Sequence, residues 1–308
     1  MTTSMTATSD SGAELDCVEI ESGSDDYPEL LGQLTDAPER LYVRGDPAVL
    51  HLPAIAIVGS RNPTAGGLRN AREFARHLGR SGFCIVSGLA QGIDAEAHRG
   101  ALDVEAPTVA FVGHGLDRIY PAANLELARA IEASGALVSE FPAGTPPRKA
   151  HFPQRNRLIS GLSFGTLVIE AARQSGSLIT ARLSAEQGRE VFALPGSIHN
   201  PLSRGCHRLI RDGAKLVESA DDILSELSAL AGHVRGTLGE STDVVEPSRV
   251  DDQEYVKLTS HLSHDPVSVD ELVEISGLTI DQVSSMLLIL ELDGVVEKQS
   301  GGRYSLQS

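Results

Sequence analysis

The chain has 308 residues, of which 41% are apolar and only 4% aromatic, and it contains no tryptophan. This length allows one or two domains with an aliphatic core. No run of about 18 uncharged apolar residues occurs, so the sequence predicts no membrane span, and its beginning does not resemble a signal peptide. The three cysteines are scattered and form no CxxC pair. We therefore expect a cytoplasmic protein without a disulfide framework or a zinc site.

The formal net charge of −16 is unevenly distributed along the chain. Residues 1–50 hold 2 basic and 11 acidic side chains, and residues 216–308 hold 5 and 18. Residues 141–215, in contrast, hold 11 basic and 4 acidic side chains. A basic middle between acidic ends is typical of a protein with an anionic ligand, although a solvated surface without a partner explains the charges alone equally well.

In chain order, residues 1–26 are polar, acidic and rich in Ser and Thr, which predicts a disordered tail. Over residues 27–226, short aliphatic runs alternate with helical patterns such as 68–81, 124–134 and 177–187. The runs have few polar residues, as in strands covered on both faces. Their alternation with helices predicts an α/β fold with a doubly wound, mostly parallel sheet. The predicted strands are 54–58, 84–87, 108–112, 136–139, 166–169, 191–194 and 215–217.

The last part of the chain has a different pattern. Residues 227–250 lose the strand signal and predict a linker. Residues 251–308 then show three amphipathic helical stretches and a hairpin with two glycines at its turn, which predicts a small C-terminal winged-helix-like domain. Its candidate recognition helix, 280–292, has no Lys or Arg, whereas helices that read the major groove need basic side chains. We expect this domain to contact protein rather than duplex DNA.

Three predicted strands run directly into glycine, at Gly59, Gly88 and Gly113. Glycine lets the backbone turn with its N–H groups outward, and the next helix start adds partial positive charge. In an open parallel sheet these loops share one edge, which predicts a phosphate-binding edge with Arg61 at its mouth; simple turn formation is the alternative. Neither a dinucleotide fingerprint nor a triphosphatase loop is present, which disfavours both of those enzyme classes.

The densest basic segment, residues 148–161, reads RKAHFPQRNRLISG. Basic side chains can follow a phosphodiester backbone, and Phe152 can stack on an unpaired base. For Phe152 alone, a place in the core is the alternative. The segment as a whole predicts binding of a single-stranded nucleic acid.

Six motifs in register over residues 27–226 resemble the DNA-processing protein A family. They are GSR at 59–61, SGLAQGIDAEAH at 87–98, GLDRIYP at 115–121, HFPQRNRLISGLS at 151–163, GSLITARLSAEQGREVFALPG at 176–196 and GCHRLIRDGAKLV at 205–217. The resemblance implies a Rossmann-like protein that binds and protects single-stranded DNA and helps load the RecA recombinase in natural transformation or recombination. It further implies a homodimer, with single-strand-binding protein as another partner and with no catalytic residue, cofactor or metal.

The family's DNA contacts are carried over to positions that match its motifs in this sequence. The expected DNA-binding residues are Gly59, Ser60, Arg61, Ser87, Gly88, Gly92, Lys149, Phe152, Arg155, Asn156, Arg157 and Ser160. The chain departs from the family pattern at its N-terminus, where an acidic tail replaces a helical domain, and at His114, where a small residue is common.

The main alternative is a glycoside hydrolase of nucleoside monophosphates, whose similar core carries PGG-x-GT-x-x-E. The chain keeps Gly165 and Thr166, but it lacks Pro-Gly-Gly, and Glu170 lies one residue too far along. A shift of one residue on a strand moves a side chain to the opposite face. Asp94 and His98 lie on one helix face without a third metal ligand, so we expect them to be structural. The sequence leaves open whether Glu170 and Arg173 belong to an ion-pair network or to the ligand edge.

Overall fold

The computed structural model describes residues 17–237 without a break. It also describes residues 7–8, 14–15, 258, 267–277, 283, 287, 296–299 and 303–306. The chain divides into two compact units, Met1–Thr237 and Leu238–Ser308. Among the described residues, no helix has the length and apolar character needed to cross a membrane.

The larger unit contains a nine-stranded sheet and a separate two-stranded pair, β1 (Ala7–Thr8) and β2 (Glu14–Leu15). The order of the nine strands is β11-β10-β9-β5-β6-β7-β8-β4-β3. Strands β5 to β11 are parallel to one another. Beyond β8, strand β4 pairs antiparallel with β8, and β3 pairs antiparallel with β4. The bounds are β3 Val18–Glu21, β4 Arg40–Gly45, β5 Ala54–Val58, β6 Cys84–Ser87, β7 Thr108–Phe111, β8 Ala136–Ser139, β9 Gly165–Val168, β10 Glu190–Ala193 and β11 Lys215–Leu216.

Eight helices of this unit cover both faces of the sheet. Helices α1, α5, α6 and α7 pack on one face, and α2, α3, α4 and α8 pack on the other. The bounds are α1 Glu29–Gly32, α2 Ala65–Arg80, α3 Ile93–Leu102, α4 Leu125–Ser134, α5 His151–Gly161, α6 Ser177–Glu186, α7 Arg204–Arg211 and α8 Ala220–Thr237. The predicted doubly wound, mostly parallel α/β architecture is confirmed.

Central strand β5 shows why the aliphatic runs form buried strands. Ala54, Ala56 and Val58 face the layer of α5 and α6, while Ile55 and Ile57 face that of α2 and α3. Side chains alternate between the two faces of a strand, and here both faces are covered by helices, so every position is apolar. The whole strand is buried.

Two predicted boundaries are wrong. The sequence predicts a disordered tail up to residue 26, but Val18–Glu21 pairs with β4 in the sheet. It also predicts a linker from residue 227, but α8 continues to Thr237. The remaining linker positions, 238–250, lie outside the described residues.

The smaller unit contains α9 (Val269–Ser276) and a three-stranded sheet of β12 (Val267–Ser268), β13 (Val296–Gln299) and β14 (Arg303–Leu306). Ser268 caps α9: its hydroxyl accepts from the Glu271 N–H, and the Glu271 carboxylate accepts from the Ser268 N–H. The antiparallel pairing of β13 with β14 confirms the predicted hairpin. Most of the candidate recognition helix, 280–292, lies outside the described residues.

Candidate nucleic-acid interface

The strand order places a crevice between β5 and β9. From β5 the chain winds through β6, β7 and β8 on one side of the sheet, and β9, β10 and β11 lie on the other. Ligands of open parallel sheets bind at such a reversal, outside the carboxyl ends of the strands. A cavity of about 670 Å³ lies at this position, and we call it the switch-point pocket.

The loop after β5 forms one wall of the switch-point pocket with Gly59, Ser60 and Arg61. The Ser60 carbonyl oxygen accepts a hydrogen bond from the Ile93 N–H at 3.1 Å, and the Ser60 hydroxyl accepts one from the Asn62 N–H at 3.1 Å. Gly92 lies directly against this loop with a φ of +82°, and a Cβ there would come within 2.4 Å of the Ser60 carbonyl oxygen. The start of α3 therefore holds the loop in place through a position that only glycine fits.

Arg155 of α5 brings a buried positive charge to the switch-point pocket. Its residue surface is only 4% exposed, and its Nε is buried without a hydrogen-bond partner among the described residues. Burial lowers the pKa of Arg155 to about 10, opposed by the charge of Asp94, so the guanidinium remains protonated at neutral pH. A buried cation in the lining of the pocket is suited to attract an anion such as a phosphate.

Gly88 makes room for this guanidinium at the carboxyl end of β6. A Cβ on Gly88 would lie 1.7 Å from Nη1 of Arg155. Asp94 of α3 accepts a hydrogen bond from the Gly88 N–H at 3.2 Å. Burial raises the pKa of Asp94, and the charge of Arg155 counteracts that increase. Gly88 thus leaves the space that the guanidinium occupies, and Asp94 and Arg155 both line the switch-point pocket.

Helices α5 and α6 complete the switch-point pocket. Lys149, Phe152 and Asn156 line it from α5 and the segment before it, and the first turn of α6 lines it from the other side. The amide of Asn156 donates to the carbonyl oxygen of Gly176 at 3.5 Å, which joins the two helices. The N-terminal end of α6 adds partial positive charge to that of Arg61, Lys149 and Arg155.

An aromatic pair lies at the mouth of the pocket. The ring centroids of Tyr120 and Phe152 are 5.9 Å apart, and the Arg61 guanidinium carbon lies 5.7 Å from the centroid of Phe152. Tyr120 is 48% exposed, so its face is accessible to a planar ligand. The sequence prediction does not include Tyr120 as a binding residue. The sequence feature that could have indicated Tyr120 is its place in the family motif GLDRIYP. Periodicity does not predict that the loop carrying Tyr120 lies beside Phe152.

The expected DNA-binding residues separate into two groups. Seven of them line the switch-point pocket: Gly59, Ser60, Arg61, Lys149, Phe152, Arg155 and Asn156. Gly88 lines a small recess that shares Arg61, Phe152 and Arg155 with the pocket. The other four contact protein. Gly92 supports the loop as described, Ser87 donates to the Ile57 carbonyl oxygen at 2.6 Å, and Ser160 bonds within α5. Arg157 is buried between Glu140 and Asp36, at 2.5 and 3.2 Å.

The acidic residues considered for catalysis have structural partners. The Glu170 carboxylate accepts from the N–H and the hydroxyl of Thr64, at 2.9 and 2.7 Å, where α2 begins. Arg173 has no ion pair with it among the described residues. His98 is fully buried and hydrogen-bonded to Thr108 at 2.7 Å. No three His, Cys, Asp or Glu side chains group as metal ligands within the described part of the chain.

The fold and the site together define a class: a doubly wound α/β protein with a cationic, aromatic-rimmed crevice at its topological switch point. The family model described as DNA recombination-mediator protein A matches residues 19–228, and that of the DprA winged helix domain matches residues 245–302. The chain belongs to the DNA-processing protein A (DprA/Smf) family, and its C-terminal unit is the family's winged-helix domain.

Individual relatives agree with this assignment. Protein Smf of Escherichia coli is 42% identical over 94% of this chain and 77% of its own length. The structure of DNA processing protein A from Streptococcus pneumoniae superposes with a TM-score of 0.66 at 45% identity, covering 68% of this chain and 73% of that one. The protein from Helicobacter pylori, whose structure is described for its single-stranded DNA binding mode, gives 0.63 at 31% identity, covering 69% and 96%.

Proposed function

We propose that this protein binds single-stranded DNA in the switch-point pocket. The observation that carries the proposal is the guanidinium of Arg155, a buried cation that lines this pocket. Arg61 and Lys149 add exposed charges at the same pocket, so phosphates are the expected ligands. Phe152 and Tyr120 offer faces on which unpaired bases stack, whereas the bases of a duplex are already stacked on each other.

The pocket supports binding without sequence preference. Its ligating groups are cations, a helix N-terminus and aromatic faces, and these contact phosphates and the π faces that all bases share. The relative from Helicobacter pylori, described for its single-stranded DNA binding mode, supports the same ligand. Glu170 is engaged with Thr64, which gives no support to the alternative of a nucleotide hydrolase.

The experiment is a titration of fluorescent single- and double-stranded oligonucleotides at several salt concentrations. For an oligonucleotide that fits the pocket, neutralisation of three phosphates gives a slope of log K against log salt of about −2. Arg61→Ala and Lys149→Ala are each expected to weaken binding about tenfold or less and to leave the circular dichroism spectrum unchanged. Salt-independent affinity, or unchanged binding in the double variant, would refute the proposal.

We further propose that the bound strand is protected and passed to the RecA recombinase during transformation or recombination. The family description as a recombination mediator supports this role. The test measures ATP hydrolysis by RecA on DNA coated with single-strand-binding protein. The protein is expected to shorten the lag before hydrolysis, and the Arg61→Ala, Lys149→Ala double variant is not. An equal lag with and without the wild-type protein would count against the role.

A homodimer is proposed on the basis of the family resemblance. Strand β11 supports a contact there, because among the strands that the structure describes it pairs only with β10, and half of Leu216 is exposed. Sedimentation equilibrium of the wild type and of Leu216→Glu tests this. We expect a dimer that the charged residue converts to a monomer; a monomeric wild type would contradict the proposal.

A further inference from the structure

A second cavity, of about 840 Å³, lies on the helical layer beside the switch-point pocket. Helices α6 and α7 form its walls, and we call it the α6–α7 groove. Its floor is apolar and consists of small and aliphatic side chains: Leu178, Ala181, Ala185, Val191, Leu209 and Ala214. A floor of this kind contacts the faces of planar or apolar groups and offers them no specific hydrogen bond.

Arginines lie along the rim of the groove. Within the described part of the chain, Arg182 and Arg208 form ion pairs only with acidic residues one turn away on their own helices, at 3.5 and 3.3 Å. Both partners of each pair are largely exposed. Exposed pairs of this kind contribute little free energy and exchange readily for another anion. Arg173 is exposed and has no ion pair or hydrogen bond among the described residues. Arg189 differs, because it donates to Gln33 and to the Leu30 carbonyl oxygen.

The α6–α7 groove adjoins the switch-point pocket. Gln174, Ser175 and Ile179 line both cavities, so the start of α6 and the residues before it form a wall that the two cavities share. On the groove side of this wall, the lining includes Arg173, Arg182 and Arg208. Both volumes, about 670 and 840 Å³, are within the range of ligand-binding sites.

We propose that single-stranded DNA held in the switch-point pocket continues over the start of α6 into the α6–α7 groove, so that the two cavities form one binding track. This inference rests on the proposed function. The groove lining has four arginines and two acidic residues, Glu190 and Asp212, and Glu186 pairs with Arg182. The remaining excess of positive charge favours a polyanion. Among the residues that the structure describes, no aromatic side chain lines the groove. The groove therefore contacts phosphates and sugars, and base stacking is confined to the pocket.

The test compares two oligothymidylates on the full-length protein. A tetramer occupies the pocket, whereas a 16-mer also reaches the groove. The variant is Arg182→Glu with Arg208→Glu, and the matched control is Arg80→Glu with Arg129→Glu, which changes the charge equally at exposed positions outside both cavities. Fluorescence anisotropy measures both affinities over a range of salt concentrations.

We expect the groove variant to bind the 16-mer at least tenfold more weakly than the control variant does. For the tetramer, the affinities of the two variants should agree within twofold. The salt slope for the 16-mer should decrease in magnitude by about 1.4, as two phosphate contacts are lost. If the two variants bind the 16-mer equally, the groove does not bind DNA and the proposed track is wrong. This is also the expected result if the groove binds an acidic protein segment instead. Equal loss of both oligonucleotides overturns the track as well. If the wild type binds neither, the proposed function itself fails.

Discussion

Arg155 and Arg157 lie two positions apart on α5, in one motif, yet they have different surroundings. Arg155 reaches the switch-point pocket, and Arg157 is buried in ion pairs with Glu140 and Asp36. Two positions on a helix differ by about 200° around its axis, so the helical period alone separates the two side chains. The motif marks both as basic, and which one faces the sheet edge depends on how α5 packs, which the sequence does not show.

The matched substitutions Arg155→Gln and Arg157→Gln test this difference. Arg155→Gln removes the buried cation, and we expect it to weaken binding of a short single-stranded oligonucleotide at least tenfold. Arg157→Gln leaves the Glu140 carboxylate without its cationic partner and should lower the free energy of unfolding by about 3 kcal/mol. Its affinity, measured by anisotropy under conditions where it is folded, should remain within twofold of wild type. Equal losses of affinity would contradict the assignment.

His98 makes the stability of the core dependent on pH. Its Nδ1–H donates to Thr108, whose hydroxyl donates to the Ile85 carbonyl oxygen, and its buried Nε2 has no partner. Burial lowers the pKa of His98 to about 3, while in the unfolded chain it is about 6.5. The unfolded state therefore binds the proton first, and stability decreases as pH falls from about 6.5 towards 3, by about 1.4 kcal/mol per unit.

His98→Asn retains a donor for Thr108 but cannot titrate. Between pH 7.5 and 5, the wild type should lose about 2 kcal/mol more unfolding free energy than the variant. Urea titrations followed by circular dichroism measure the difference. Parallel losses in the two proteins would show that other groups cause the acid sensitivity.

At the scale of elements, the sequence predicts the parallel strands within one residue, because a run covered on both faces is apolar at every position. It misses β3, whose sequence VEIE alternates apolar and acidic residues within a polar segment. That alternation is typical of a half-buried strand, but the composition of residues 1–26 outweighed it. The position of Tyr120 beside Phe152 was not predictable, since it depends on contacts between loops.

Gly92 connects α3 to the loop after β5. Gly92→Ala places a methyl group against the Ser60 and Arg61 carbonyl oxygens, at 2.4 and 2.8 Å. We expect weaker single-strand binding, by about tenfold, although Gly92 does not line the pocket. Gly82→Ala is the control, because its φ of +88° is equally unfavourable for alanine but its Cβ meets no atom within 4 Å. Both variants lose stability; if both also lost DNA affinity equally, loop displacement would not be the cause.

At the scale of the whole molecule, the net charge of −16 has the opposite sign to the charge of the candidate site. The switch-point pocket and the α6–α7 groove both draw their cations from the basic middle of the chain, except for Arg61. Residues 148–156, in the part of the chain that the charge counts mark as basic, contribute five of the residues that line the pocket: Lys149, Phe152, Pro153, Arg155 and Asn156.

Truncation after Thr237 tests whether the second unit takes part in binding. It removes 14 acidic and 4 basic side chains, so it lowers repulsion of DNA while leaving every described pocket residue in place. The single-strand affinity should remain within threefold of that of the full chain or increase at low salt. A loss of more than tenfold, at unchanged oligomeric state by sedimentation, would assign a DNA contact to the C-terminal unit.

The antiparallel addition of β4 beside β8 has a consequence for how the chain is synthesised. Arg44 of β4 forms its ion pair with Glu132, 88 positions later, and β4 pairs with β8 further on still. Translation takes on the order of ten seconds to cover that distance. The antiparallel pair of β3 and β4 is therefore made before β5 to β8 but can join the sheet only once β8 has been made. The order of these strands in the chain differs from the order in which they can enter the sheet.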